Sequence, residues 1–320
     1  MNAKALTIIL SIATMVLTAC GNDDAIDNWN GEIRLTSGMA AQQTRTSFGQ
    51  DTQLASGQLV SVFVDKATSP AEQLYGNTEL TAGTNGSFTG TPMYYPTGSK
   101  VDVYAFHPSL PTSVTAYPTT AFTHAVSSDQ SKNTGYLASD LLYAASKGNA
   151  KSADAIKLTF YHMLSKVEVA LKSGNGKPNL SGATVTIEGT QLKADFTAIK
   201  ATNISEVNNR AGMIAVSEIE NTATPITIGT EITTDDFGTS TAYAEAVIVP
   251  QTVAGDAAFI KVTLANSGPT YIYKLDAATT FASGKKYQYK ITVNNSELKV
   301  TSSITDWLSG DPKAGDAEMQ

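Results

Sequence analysis

Lys286–Val293 reads KYQYKITV. Tyr287, Tyr289, Ile291 and Val293 alternate with Lys286, Gln288, Lys290 and Thr292, which sorts apolar and polar side chains onto opposite faces at a period of two. This is the pattern of a half-buried strand, and its aromatic and β-branched residues suit a pleated surface. The same character continues in Leu298–Ile304 (LKVTSSI) and recurs upstream in Thr270–Leu275 (TYIYKL), Phe259–Ala265 (FIKVTLA), Ala242–Ile248 (AYAEAVI), Ala183–Glu188 (ATVTIE), Ser165–Leu171 (SKVEVAL) and Ile156–Phe160 (IKLTF). Lys100–Phe106 (KVDVYAF), Leu59–Val64 (LVSVFV) and Glu32–Ser37 (EIRLTS) carry it towards the N-terminus. Asn-Gly, Ser-Gly and Pro-Thr-Gly turn material separates the runs. Helical stripes are scarce; one short helix is expected near Ala138–Ala145 (ASDLLYAA), with Ser139 or Asp140 as its cap. Without crossover helices a parallel βαβ fold is disfavoured. Many short strands separated by turns predict an all-β chain of sandwich type. The length accommodates two sandwiches in tandem, with a seam around Phe160–Lys166.

The 320 residues are 42% hydrophobic and 16% charged, which is enough apolar material for packed cores. A net charge of -7 without basic runs argues against nucleic acid as a partner. The single cysteine, Cys20, excludes an internal disulfide framework.

That cysteine closes an export signal. Lys4 is followed by the uncharged run Ala5–Val16 (ALTIILSIATMV), shorter than the ~20 apolar residues a spanning helix needs. Leu17-Thr18-Ala19-Cys20 resembles the lipobox of bacterial lipoproteins: residues 1–19 are then a signal peptide, and the Cys20 thiol takes a diacylglycerol. Its freed amine takes a further chain such as palmitate. One acyl chain binds a membrane marginally, whereas two or more hold firmly at ~0.8 kcal/mol per buried CH₂. The polar, acidic Gly21–Asp24 suits a tether.

Catalytic motifs are missing from the sequence. His107, His124 and His162 have no metal-ligand spacing, and the lone cysteine is committed to lipid. A nucleophile elbow, a phosphate loop and a zinc-protease helix motif are all lacking. No enzyme activity, cofactor or metal is therefore expected. Asp23-Asp24 and Asp235-Asp236 admit a calcium reading, but calcium needs six to eight oxygens from several positions, and solvated loop carboxylates are the blander account. Tyr94-Tyr95, Tyr271, Tyr273, Tyr287 and Tyr289 could stack on sugars, or their i, i+2 spacing could serve sheet packing.

Four segments resemble the fimbrillin family, subunits of type V pili. They are the lipobox at Cys20, the loop Gln42–Gly49 (QQTRTSFG), the bridge Leu158–Val169 (LTFYHMLSKVEV), and the C-terminal Lys286–Trp307 (KYQYKITVNNSELKVTSSITDW). Val101–Pro108 (VDVYAFHP) and Asp140–Ala144 (DLLYA) add to the likeness. The resemblance implies two transthyretin-like, Greek-key β-sandwich domains, here 46–162 and 163–320. Residues 20–45 would form a lipidated tether and removable first strand. It further implies an outer-membrane lipoprotein on the cell surface, cut by a trypsin-like protease between Arg45 and Thr46. Loss of the first strand opens a groove with unpaired backbone groups, a template for another chain. The C-terminal strands of another copy, or of a related fimbrial subunit, fill it by strand addition in the service of cell adhesion.

The candidate donor strand is 296–308, with Leu298, Val300, Ile304, Trp307 and Leu308 as its apolar residues and the first three on one parity. The same residues would equally close the sandwich of their own molecule. The polar tail after Trp307, with Pro312, departs from a continuous donor and fits an anchor or tip accessory subunit. A monomeric surface lipoprotein that binds a glycan or a host protein is the alternative from a different class.

Overall fold

A computed structural model describes residues 29–40, 52–198, 200, 213–218, 223–235 and 237–307. The signal peptide, Cys20, Arg45, Thr46, Leu308, Pro312, Asp23, Asp24 and Asp236 lie outside the described residues.

In the first half the strands are β1 Leu35–Met39, β2 Leu59–Lys66, β3 Glu72–Ala82, β4 Phe88–Gly90, β5 Val101–His107, β6 Phe122–Ala125, β7 Asp129–Gln130, β8 Leu142–Asn149 and β9 Ile156–His162. A short helix, α1 Asn133–Ser139, lies between β7 and β8. The second half adds β10 Ser165–Ser173, β11 Thr184–Ile187, β12 Lys193–Ala198, β13 Met213–Glu218, β14 Ile226–Ile228, β15 Glu231–Asp235 and β16 Gly238–Ile248. It ends with β17 Gln251–Val253, β18 Ala258–Thr263, β19 Thr270–Lys274, β20 Thr279–Phe281, β21 Lys285–Val293 and β22 Leu298–Asp306.

The strands read from alternation are all present as strands. The helix is not where the sequence put it. Asn133–Ser139 is helical, and Leu142–Asn149 is instead strand β8, between β5 and β9. Leu142, Tyr143 and Ala144 are all buried there, because both faces of this central strand are covered. Ser139 is the last helical residue, not a cap, and its hydroxyl donates to the Gly135 carbonyl. Asp140 hydrogen-bonds His162 instead. The first strand also starts later than expected, at Leu35, with Glu32 making only an isolated bridge to Tyr94.

A seven-stranded sheet, ordered β1-β9-β8-β5-β2-β3-β4, uses only strands that precede Met163. Its two ends meet. β1 pairs in parallel with β9, from Leu35 opposite Ile156 to Met39 opposite Phe160, and its other flank bridges to Ser87 and hydrogen-bonds Met93 and Tyr95. After His162 the chain changes sheets. β10 is the middle strand of a five-stranded sheet, β15-β16-β10-β21-β22, which faces a second one, β19-β18-β11-β14-β7. Phe259 and Tyr273 from one sheet meet Tyr289 from the other, with centroids 5.4 and 5.8 Å apart, so the two form a sandwich. Two first-half strands pair across the seam: β7 with β14 and β6 with β12. One cluster of buried apolar residues runs from Phe63 to Trp307. No helix among the described residues is long and apolar enough to cross a membrane.

Candidate functional site

The two strands that the sequence marks for exchange have contrasting settings. The first is β1. Ile33, Leu35 and Ser37, on one parity, are 5, 6 and 8% exposed, so its side chains are seated in the molecule like core residues. The Ser37 hydroxyl donates to the Gly86 carbonyl and accepts from the Leu54 amide. The Ile33 amide donates to Met93, Met39 to Thr52 and Ala40 to Phe160. Beside the strand lies a cavity of about 280 Å³ lined by Arg34, Thr36, Phe88, Pro92 and Ala155 among others. Ile33 and Leu35 line the same cavity, so the strand is seated in the core beside open space.

The second is β22, at the edge of its sheet. It pairs antiparallel with β21 along all nine residues, from Leu298 opposite Val293 to Asp306 opposite Lys285. No described strand pairs with its outer edge. Leu298 and Val300 are half-buried against the core, whereas Ile304 is 44% exposed although it sits opposite buried Tyr287. The strand ends in a buried anchor. Trp307 is 4% exposed and stacks on His162 with centroids 3.7 Å apart and planes at 12°, while the Lys166 ammonium lies 5.8 Å from the indole. Of the four expected donor residues, Leu298, Val300 and Ile304 share a face and Trp307 turns into the seam between β9 and β10.

Sequence reasoning missed the buried charges beneath that anchor. Lys166, Glu168 and Glu245 are each at most 1% exposed, and the Lys166 ammonium lies 3.1 Å from Glu168 and 2.7 Å from Glu245. Lys286 reaches the other Glu168 oxygen at 3.6 Å. Burial alone would lower the Lys166 pKa, but the two carboxylates outweigh it and hold the ammonium up. Burial likewise works to raise Glu168, and Lys166 and Lys286 together bring it below its usual range. Lys166 and Glu168 alternate with Val167 and Val169 along SKVEVAL, and Glu245 lies in AYAEAVI; only the elements packed over them show that all three are interior.

The three histidines gather around the end of α1 without forming a metal site. The ring nitrogens of His107 lie 3.0 and 3.1 Å from the Leu59 and Leu137 carbonyls, His124 contacts the Ser139 carbonyl at 2.8 Å, and His162 contacts Asp140 at 2.9 Å. Burial lowers the pKa of His107 and of His124 against the opposing pull of their carbonyl partners. Among the described residues no group of three or more His, Cys, Asp or Glu side chains could hold a metal. The tyrosines divide: Tyr287, Tyr289 and Tyr95 are buried in packing, and Tyr94 is 40% exposed.

The fimbrillin-like family profile matches residues 44–307. Fim1C of Bacteroides uniformis, named as a fimbrium subunit, is 23% identical, with 96% of this chain and 97% of that protein aligned. Two crystal structures described as cell adhesion proteins share the fold. One from Bacteroides ovatus has a TM-score of 0.64 at 19% identity, covering 88% of this chain and 99% of that one. One from Bacteroides uniformis has a TM-score of 0.59 at 22% identity, covering 87% and 99%. The profile spans the whole seven-stranded sheet after β1, the sandwich and the Trp307 anchor, and the chain belongs to the fimbrillin-like family.

Proposed function

We propose that this chain is a structural subunit of a surface fimbria, exported as a lipoprotein on Cys20, cut after Arg45 and polymerised by strand exchange. The observation that carries the reading is the setting of β1. It is a short, core-seated strand at the seam of a closed sheet, and Arg45 follows it by six residues. A cut there leaves β1 held by non-covalent contacts alone. Its departure uncovers the β9 backbone and the pockets of Ile33 and Leu35, which a strand from a neighbouring subunit can fill. The outer membrane, a trypsin-like protease and related subunits are the partners on this reading, and adhesion to a host or bacterial surface is its purpose. The change of sheet between β9 and β10 supports a division at 162/163, while the pairings of β6 with β12 and β7 with β14 cross it.

The test is intact mass and N-terminal sequencing of the protein from its own cells. A lipid-free chain beginning at Thr46 is expected. A chain that begins only at acylated Cys20 would overturn the processing step. A second reading, an anchor or tip subunit, is favoured by the buried Trp307, which holds β22 in its own molecule. It predicts a protein at a fimbrial end, not along the shaft, by immunogold labelling.

A further inference from the structure

A carboxylate lies buried on the seven-stranded sheet with one of its two oxygens unmet. Asp65, on β2, is 1% exposed, and its Oδ1 has no hydrogen-bond partner. Its Oδ2 accepts from the ammonium of Lys200, a residue between β12 and β13 and 135 positions away in the sequence. The same ammonium lies over two rings, 5.4 Å from the Tyr104 centroid and 4.8 Å from the Tyr117 centroid. The rings have centroids 4.9 Å apart and planes at 65°, so they form the walls of a corner. A carboxylate and two electron-rich ring faces around one nitrogen are the chemistry of an ammonium cage. We infer that Asp65, Tyr104 and Tyr117 form an ammonium-binding site, filled from within the chain by Lys200 and open to a primary alkylamine, in solution or on a lysine side chain, when Lys200 is withdrawn. The site stands independently of any exchange of β1.

The walls are built without Lys200. β2 and β5 pair antiparallel with Phe63 opposite Tyr104 and Asp65 opposite Asp102, which puts both carboxylates and the Tyr104 ring on one face. Tyr117 is 5% exposed, its hydroxyl shares a 3.1 Å hydrogen bond with that of Tyr143, and its ring meets Phe63 and Phe106 at 5.9 and 5.6 Å. Asp102 is already served, by the Gly148 amide at 2.7 Å and the Lys147 ammonium at 3.4 Å. Asp65 is therefore the carboxylate on this face that can take a guest.

The resident is the loose member of the set. The Lys200 side chain is 32% exposed against 1% for Asp65, and although an ammonium carries three donors, Oδ1 is left unmet. Pairs at the surface differ, because in Lys66–Glu72 and Lys285–Asp306 both partners are open to water. Withdrawal of Lys200 leaves a desolvated carboxylate beside two aromatic rings, an arrangement that recruits a cation.

Chemical rescue tests the site. Lys200→Ala should melt below the wild-type chain, because Asp65 is left uncompensated. n-Butylammonium chloride should raise the melting temperature of that variant by about 3–6 °C at ten times its Kd, and calorimetric titration should give one site per chain. Sodium chloride at the same concentration should not reproduce the rise. The wild-type chain, its cage occupied, should not respond, and neither should Lys200→Ala/Asp65→Asn, which removes the charge and keeps the shape. A blocked pentapeptide with one central lysine separates the two sources: rescue by peptide and amine assigns the site to a polypeptide lysine, and rescue by the amine alone assigns it to a small amine. A folded Lys200→Ala that gains nothing from butylammonium, or gains as much with Asp65→Asn, would overturn the site. A second measurement keeps Lys200 in place. Asp65→Asn should speed acetylation of Lys200 by an amine-reactive ester about tenfold, with exposed Lys299 unchanged as the reference. Equal rates in the two chains would refute the cage.

Discussion

Trp307→Ala should unfasten the end of β22. The indole is 4% exposed, stacked on His162 at 3.7 Å and approached by the Lys166 ammonium at 5.8 Å. Removing a buried aromatic of this size typically costs about 3–5 kcal/mol, the sum of lost transfer energy and the cavity left behind. In a chain this long each kcal/mol moves the melting temperature by about 2–4 °C, so a fall of roughly 6–20 °C is expected. The stack itself is a smaller part. A cycle of Trp307→Ala, His162→Ala and the double variant should give a coupling of about 0.5–1.5 kcal/mol. Urea unfolding of the purified chain, followed by circular dichroism, reads both quantities. Ile304→Ala, at a position 44% exposed on the same strand, is the internal control and should change stability little. If Trp307→Ala costs no more than Ile304→Ala, the strand is not anchored by its indole. If strand exchange operates, the same variant should also polymerise faster once cut, because its donor is easier to free.

Three further outcomes follow from the same geometry. Leu35→Ala removes a side chain that is 6% exposed, so after cleavage at Arg45 the hold on β1 should weaken by about 2–3 kcal/mol, roughly 30- to 150-fold in the released fraction by mass spectrometry. Lys166→Met strands two carboxylates in the interior and should cost about 3–5 kcal/mol in urea unfolding, with much of it restored by adding Glu168→Leu and Glu245→Leu. His107 and His124 have lowered pKa values in the fold, so below the ordinary 6.5 the unfolded chain binds more protons than the folded one. Stability should therefore fall as pH drops through 6.5 towards the folded values, and His124→Gln should flatten that slope in urea titrations between pH 5 and 7.

Alternation made eleven of the 22 described strands legible, since a period of two is what a half-covered sheet demands of its sequence, and most of the others are short or irregular. β3 escaped because Gly76-Asn77 looks like a turn. In the structure the pair is an irregularity inside the strand: Asn77 has φ 40°, and a Cβ on Gly76 would lie 2.1 Å from the Thr115 carbonyl oxygen. Burial reversed one reading and supplied another that alternation does not carry. Leu142–Asn149 is a strand because β5 and β9 flank it, and Lys166, Glu168 and Glu245 are interior because Trp307 and the residues around α1 cover them.

The seven-stranded sheet is a ring fastened at one strand. While β1 is in place both of its flanks are engaged, by β9 on one side and by the Ser87–Tyr95 segment on the other, although among the described residues no strand pairs with the outer edge of β3 before Leu80. Opening the ring creates two facing rims at once, the β9 ladder on one side and Ser87, Met93 and Tyr95 on the other. A replacement strand would then be read from both sides simultaneously, and one that satisfied only one rim would gain half the contacts for the full loss of its own freedom. On the proposed strand-exchange reading such a clasp would act as a proofreader, making near-miss strands poor competitors without any dedicated recognition residue.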